Sequence, residues 1–131
     1  MNIIERTLND VTVLDLEGNL ALEGNKQFRQ RVASTIDAGA RKLIVNMARV
    51  PYMDSSGLGE LISCYTTLQR VSGRIKLLHL NDRLRNLLVI TKLTRVFETF
   101  DSEPAAVDSF ARDLSERSQP CGDKQEVEAQ L

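Results

Sequence analysis

Residues 42–59 read KLIVNMARVPYMDSSGLG, and the order of residue types in this stretch decides the fold. Leu43, Ile44 and Val45 stand in direct succession, which suits an interior strand covered by helices on both faces. Asp54-Ser55-Ser56-Gly57-Leu58-Gly59 then makes the first turn of a helix from small polar and glycine residues, with Asp54 or Ser55 suited to cap its free N–H groups. Leu58, Leu61, Ile62, Tyr65 and Leu68 continue as an apolar stripe, Arg70 falls in the last turn, and Gly73 is placed as a left-handed stop. Arg74–Leu80, RIKLLHL, is the next strand.

Reading outward, Ile3–Leu8 and Val11–Glu17 are two apolar-rich runs separated by Asn9-Asp10, a pair that tolerates a tight hairpin turn. Asn25 is a plausible cap for a helix in which Phe28, Val32 and Ile36 recur every four residues up to Gly39. Asn81 caps a third helix with Leu84, Leu87 and Leu88 on one face. A short strand near Val96–Phe100 and a fourth helix over about Pro104–Leu114 complete the pattern. Strands separated by helices imply right-handed parallel crossovers. The reading is α/β: a mixed, mostly parallel sheet of four to five strands with an antiparallel edge hairpin, flanked by about four helices.

The chain has 131 residues, 42% hydrophobic and 27% charged, with three prolines and seven glycines, which is the composition of one globular domain. Such a domain buries roughly two-thirds of the surface its unfolded chain exposes and needs neither disulfide nor metal to fold. Seventeen basic and eighteen acidic residues leave a net charge of -1, without the basic excess of a nucleic-acid binder. Neither a cationic, uninterrupted apolar start nor a membrane-length apolar run is present, so secretion and membrane insertion are not expected. Two cysteines 57 positions apart, with one histidine, give no disulfide framework and fit a reducing cytoplasm. From Ser115 on the chain is polar and aperiodic, so we expect a domain over residues 1–113, a monomer or weak dimer, and a flexible polar tail over 114–131. The tail's net acidity leaves the body at about +1.

Metal and cofactor chemistry find little support. His79, in the expected strand, is the single imidazole, and Cys64 within the helix stripe reads as a small apolar filler. Gly57-Leu58-Gly59 begins a dinucleotide fingerprint, but Ile62 stands where its third glycine belongs. A small serine hydrolase would need Ser55 as nucleophile with His79 as its base, yet Met53 occupies the position of the glycine that precedes such a nucleophile. Arg70, Arg74, Lys76, Arg83, Arg85, Lys92 and Arg95 read as a solvated basic face.

Ser55 has a second use. A hydroxyl in the first helical turn lies among free N–H groups at the positive helix end, which favours an added anion. A phosphate there brings roughly -1.5 to -2 charges beside Asp54 without melting the helix. A partner docking on this surface would then meet repulsion and bulk.

Pro51-Tyr52-Met53-Asp54-Ser55-Ser56-Gly57-Leu58-Gly59, preceded by LIVNM and followed by Ser72-Gly73-Arg74-Ile75-Lys76-Leu77, resembles the STAS domain of bacterial anti-sigma factor antagonists. The resemblance spans about residues 3–113 and includes the Leu84-Leu87-Leu88 helix and Phe97-Glu98-Thr99-Phe100. It implies a STAS-like fold and partner switching: the unphosphorylated protein binds an anti-sigma factor that is also a serine kinase, and a sigma factor is released. It further implies that the kinase phosphorylates Ser55 and so ends binding, and that a metal-dependent serine phosphatase restores it. By the same resemblance Asp54 lines the kinase contact, Ser56 shapes the helix start, and Gly57, Leu58 and Gly59 belong to the docking surface. The loop Gly18-Asn19-Leu20-Ala21-Leu22-Glu23-Gly24 resembles the family's binding loop only loosely. The alternative use of the same fold is an unphosphorylated scaffold, or an accessory subunit of a stress-signalling or lipid-transport complex.

Overall fold

The computed structural model describes residues 1–117. Its elements run β1 (Asn2–Leu8), β2 (Val11–Glu17), α1 (Glu23–Asp37), β3 (Lys42–Arg49), α2 (Ser55–Arg70), β4 (Arg74–Leu78), α3 (Asp82–Ile90), a 3-10 turn at Leu93–Arg95, β5 (Glu98–Phe100) and α4 (Glu103–Arg117). The sheet has five strands in the order β1-β2-β3-β4-β5. β1 is antiparallel to β2, with Leu8 opposite Val11 across a two-residue turn, and Asn9 takes φ 57° to close it. The remaining pairs are parallel.

Because each crossover steps one strand in the same direction with one hand, α1, α2 and α3 fall on a single face. Phe28, Val32 and Ile36 of α1, Leu58, Leu61 and Leu68 of α2, and Leu84 and Leu88 of α3 meet Leu14, Leu16, Leu43, Val45 and Leu77 there. The alternate strand residues Val11, Val13, Ile44 and Leu78 face the other way, and Ala106 and Phe110 of α4 cover them.

Several local expectations need correction. Asn25 does not cap α1. The chain turns earlier, through Gly24 N–H to Ala21 O (3.0 Å) and Asn25 N–H to Leu22 O (3.1 Å), so the helix starts at Glu23 behind Leu22, which has φ 52° and ψ -120° and gives no side-chain cap. Gly73 is not the left-handed stop of α2, since Ser72 carries the positive φ of 61°. Gly73 is small because a Cβ there would lie 2.7 Å from both Arg41 O and Leu68 Cδ2. Ile62 is 37% exposed, and Cys64 takes its place in the buried stripe. β4 ends at Leu78, with His79 just beyond it at φ 60°, its N–H donating to Phe100 O (2.8 Å).

Lys76 does not belong to a solvated basic face. It is fully buried on the α4 side of the sheet, pairs with Glu98, and holds its ammonium 5.8 Å from the Phe100 ring centre and 5.0 Å from that of Phe110. α4 runs three residues past its expected end at Leu114, to Arg117. The rest of the expected tail, residues 118–131, lies outside the described residues.

Candidate functional site

The strand exit after β3 is pinned before α2 begins. Val50 and Met53 are buried, Leu20 N–H donates to Tyr52 O (3.0 Å), and Leu20 and Met53 form a parallel bridge. Gly18 N–H donates to Arg49 O (3.0 Å). The loop between β2 and α1 is thereby stitched along the approach to α2. Gly57 completes the fit, since a Cβ there would lie 1.9 Å from Leu20 O.

Asp54 is the N-cap of α2, with extended backbone and its Oδ1 accepting from Gly57 N–H at 2.9 Å. The same oxygen accepts from Ser56 Oγ at 2.6 Å. Ser56 Oγ accepts in turn from Asn25 Nδ2 at 2.7 Å. Asn25 reaches across from the first turn of α1, so three side chains form one directed run of hydrogen bonds. The Ser56 hydroxyl, followed by the Gly57 N–H, holds the Asp54 carboxyl below its ordinary range.

Ser55 stands outside this run. It is the first residue of α2, it is exposed, and its hydroxyl makes no hydrogen bond among the described residues. No acidic residue sits in the first turn of α2 itself, so the positive helix end at Ser55 is offset only by the capping Asp54. Ser56 and Gly59 are also exposed, and Asp54 is half-buried. Gly57 and Leu58 face inward, Leu58 as part of the core. Of the six positions expected to form a docking surface, four therefore present themselves to solvent. Gly59 faces open space, with no atom within 4 Å of a Cβ built there. Tyr52 and Leu22, 42% and 85% exposed, extend this end of the molecule.

The hydrolase arrangement is not assembled. Among the described residues no hydrogen bond joins Ser55 to His79, and neither side chain is bonded to a carboxylate. Cys64 is buried, and burial pushes its thiol up to about 12, away from thiolate chemistry at neutral pH. No helix among the described residues is long and apolar enough to cross a membrane.

Asn25 is the site residue that sequence reading misses. Its residue type signals a cap, and nothing local places it against Ser56, 31 positions away. Only the packing of α1 on α2 brings them together.

Comparison with known proteins agrees with this architecture. Residues 2–106 match the sequence profile of the STAS domain. The chain is 23% identical over 110 residues to BtrV of Bordetella bronchiseptica, a candidate anti-sigma factor antagonist, covering 84% of this chain and 95% of that one. It is 29% identical over 101 residues to the anti-sigma-B factor antagonist of Bacillus subtilis, covering 75% and 91%. The crystal structure of a candidate anti-sigma factor antagonist from Thermotoga maritima superposes with a TM-score of 0.78 at 21% identity, over 82% of this chain and 92% of that one. With the profile matched over most of its length and the five-stranded mixed sheet in place, the chain belongs to the STAS domain family.

Proposed function

We propose that this protein is an anti-sigma factor antagonist that works by partner switching, with Ser55 as the switch. The observation that carries the reading is the state of Ser55, exposed at the first position of α2 with a hydroxyl that the fold does not use. The neighbouring groups are committed: Asp54 and Ser56 to the cap, Gly57 to the contact with Leu20. The anti-sigma factor antagonists among its relatives support the role.

The partner in this reading is an anti-sigma factor with serine kinase activity, bound by the unphosphorylated protein through Asp54, Ser55, Ser56 and Gly59, with Gly57 and Leu58 supporting that surface from below. Gly59 fits a close approach, because a glycine inside a helix costs stability and its own fold asks for none there. Phosphorylation of Ser55 adds a near-dianion beside the Asp54 carboxylate and ends binding. A metal-dependent serine phosphatase resets the switch. The protein acts in the cytoplasm as a binding component rather than as an enzyme.

The test uses the cognate anti-sigma kinase with ATP, phosphate mapping by mass spectrometry and a binding titration. Phosphate is expected on Ser55. Ser55→Ala should bind as the native protein does and accept none, whereas Ser55→Asp should weaken binding at least tenfold, about 1.4 kcal/mol, without loss of fold. Phosphate on Thr66 or nowhere, together with unaltered binding by Ser55→Asp, would sink the switch.

A further inference from the structure

Ser55 and Ser56 are adjacent and both exposed, so accessibility cannot choose between them. Their hydrogen bonding can. The single proton of Ser56 goes to Asp54 Oδ1 at 2.6 Å, and its oxygen already accepts from Asn25 Nδ2 at 2.7 Å. Ser55 has no such engagement. We infer that Asn25 is a positioning residue that decides which of the two serines can carry a phosphate, by locking Ser56 Oγ onto the Asp54 cap and leaving Ser55 as the position where a phosphate breaks no native bond. The inference rests on the phosphoswitch reading above.

The chemistry of the product explains the choice. In the transfer, a serine Oγ bonds to the terminal phosphorus of a nucleoside triphosphate, the bond from that phosphorus to the diphosphate breaks, and the hydroxyl proton passes to a base. On Ser56 that proton is the one that joins the serine to Asp54. Its loss would set a phosphate against a carboxylate with no hydrogen between them, and would free Gly57 and α2 from an ordered cap. On Ser55 the same group adds to an unoccupied position at the positive helix end.

Asn25 is held for this donor rather than for packing. It is 8% exposed, and its Oδ1 is buried with no hydrogen-bond partner. A buried acceptor left unmatched is a burden that an apolar residue of similar size would not carry. Asn25→Leu should therefore fold, while releasing Ser56, whose exposed hydroxyl can take water in place of the amide.

The test places phosphoserine at position 55 or 56 of the full chain by genetic encoding, in the native and Asn25→Leu backgrounds, and compares thermal unfolding. In the native background the protein with phosphoserine at 55 should melt within about 2 °C of the unmodified chain, and that with phosphoserine at 56 at least about 4 °C lower. The gap should shrink by half or more in Asn25→Leu, or in Asn25→Ala if the leucine variant is poorly folded. A second readout is the carboxyl titration of Asp54 by NMR in the unphosphorylated protein. Its midpoint should rise when Asn25 is replaced, which a merely space-filling residue would not cause. Equal melting of the two phosphoforms overturns the inference, as does a gap that Asn25 does not affect. The phosphoswitch itself is judged separately: if phosphoserine at 55 leaves partner binding unchanged, that reading falls even where the melting contrast holds.

Discussion

Gly57 and Gly59 stand two positions apart on α2 and answer to opposite demands. A Cβ on Gly57 would meet Leu20 O at 1.9 Å, whereas one on Gly59 would meet nothing within 4 Å. Gly57→Ala should therefore lower stability by about 1–3 kcal/mol, the usual cost of overpacking. Gly59→Ala should raise it by up to about 1 kcal/mol through helix propensity. Urea unfolding of the two variants separates them by the sign of the change in midpoint, and a destabilising Gly59→Ala would show that its helix face is not open. In the sequence the two glycines look alike. What separates them is the path of the loop near Leu20, which no local pattern reveals. Lys76 was hidden for the same reason: a basic residue in a strand reads as solvated until α4 is laid over that face of the sheet.

At the scale of elements, periodicity was a good guide and the helix ends were a poorer one. The strand that begins at Lys42, most of the stripe of α2 and the cap of α3 follow from residue type and spacing, and Asn81 Oδ1 accepts from Leu84 N–H at 2.8 Å as its position implies. The start of α1 differs because Asn25, the conventional capping residue, lies inside the helix, and the stop of α2 differs because the left-handed position is not the conventional glycine, Gly73. Leu22 and Ser72 take positive φ instead. The helices also differ in how firmly they are held. α1, α2 and α3 share the large core on one face, while α4 rests on a small cluster of Val11, Val13, Ile44, Leu78, Ala106 and Phe110, with the Lys76–Glu98 pair beside it. α4 should open ahead of the sheet. In native-state hydrogen exchange its amides should exchange at least tenfold faster than those of β3, and equal protection would refute an independently opening α4.

For the molecule as a whole, Arg6 ties three elements together. Its guanidinium donates to Asp15 (2.6 and 3.0 Å) and to Glu103 (2.6 and 3.4 Å), joining the edge strand to β2 and to the start of α4. Partial burial pushes the Asp15 carboxyl up, but hydrogen bonds from Arg6 and Asn46, with the charges of Arg6 and Arg49, more than offset this and leave it below its ordinary value. A carboxylate depressed in the folded state stabilises above its unfolded value, near pH 3.9, and that contribution is lost as pH falls through the folded one. Asp15→Asn should thus be less stable than the native protein at pH 7, with the two converging as pH falls below the unfolded carboxyl value when urea midpoints are plotted against pH; a constant gap would argue against the linkage. The α/β class, the antiparallel hairpin edge and the parallel order were all legible, because hydrophobic runs, turn pairs and crossover handedness leave few arrangements. Ser55 was legible as a first-turn residue of α2 beside a capping aspartate. Its hydrogen-bonded surroundings were not, since they depend on how α1 seats against α2.

In the partner switch proposed above, the stitched loop between β2 and α1 bears on how fast and how tightly this end of the molecule is recognised. Backbone bonds from Gly18 to Arg49 and from Leu20 to Tyr52 settle its path before any encounter, and Leu22 is already displayed, 85% exposed, in a backbone conformation that leucine rarely adopts. A surface that arrives there meets a shape that needs no ordering on contact. Little configurational entropy is then lost on association, and variants in this loop should alter residence time far more than the rate of encounter.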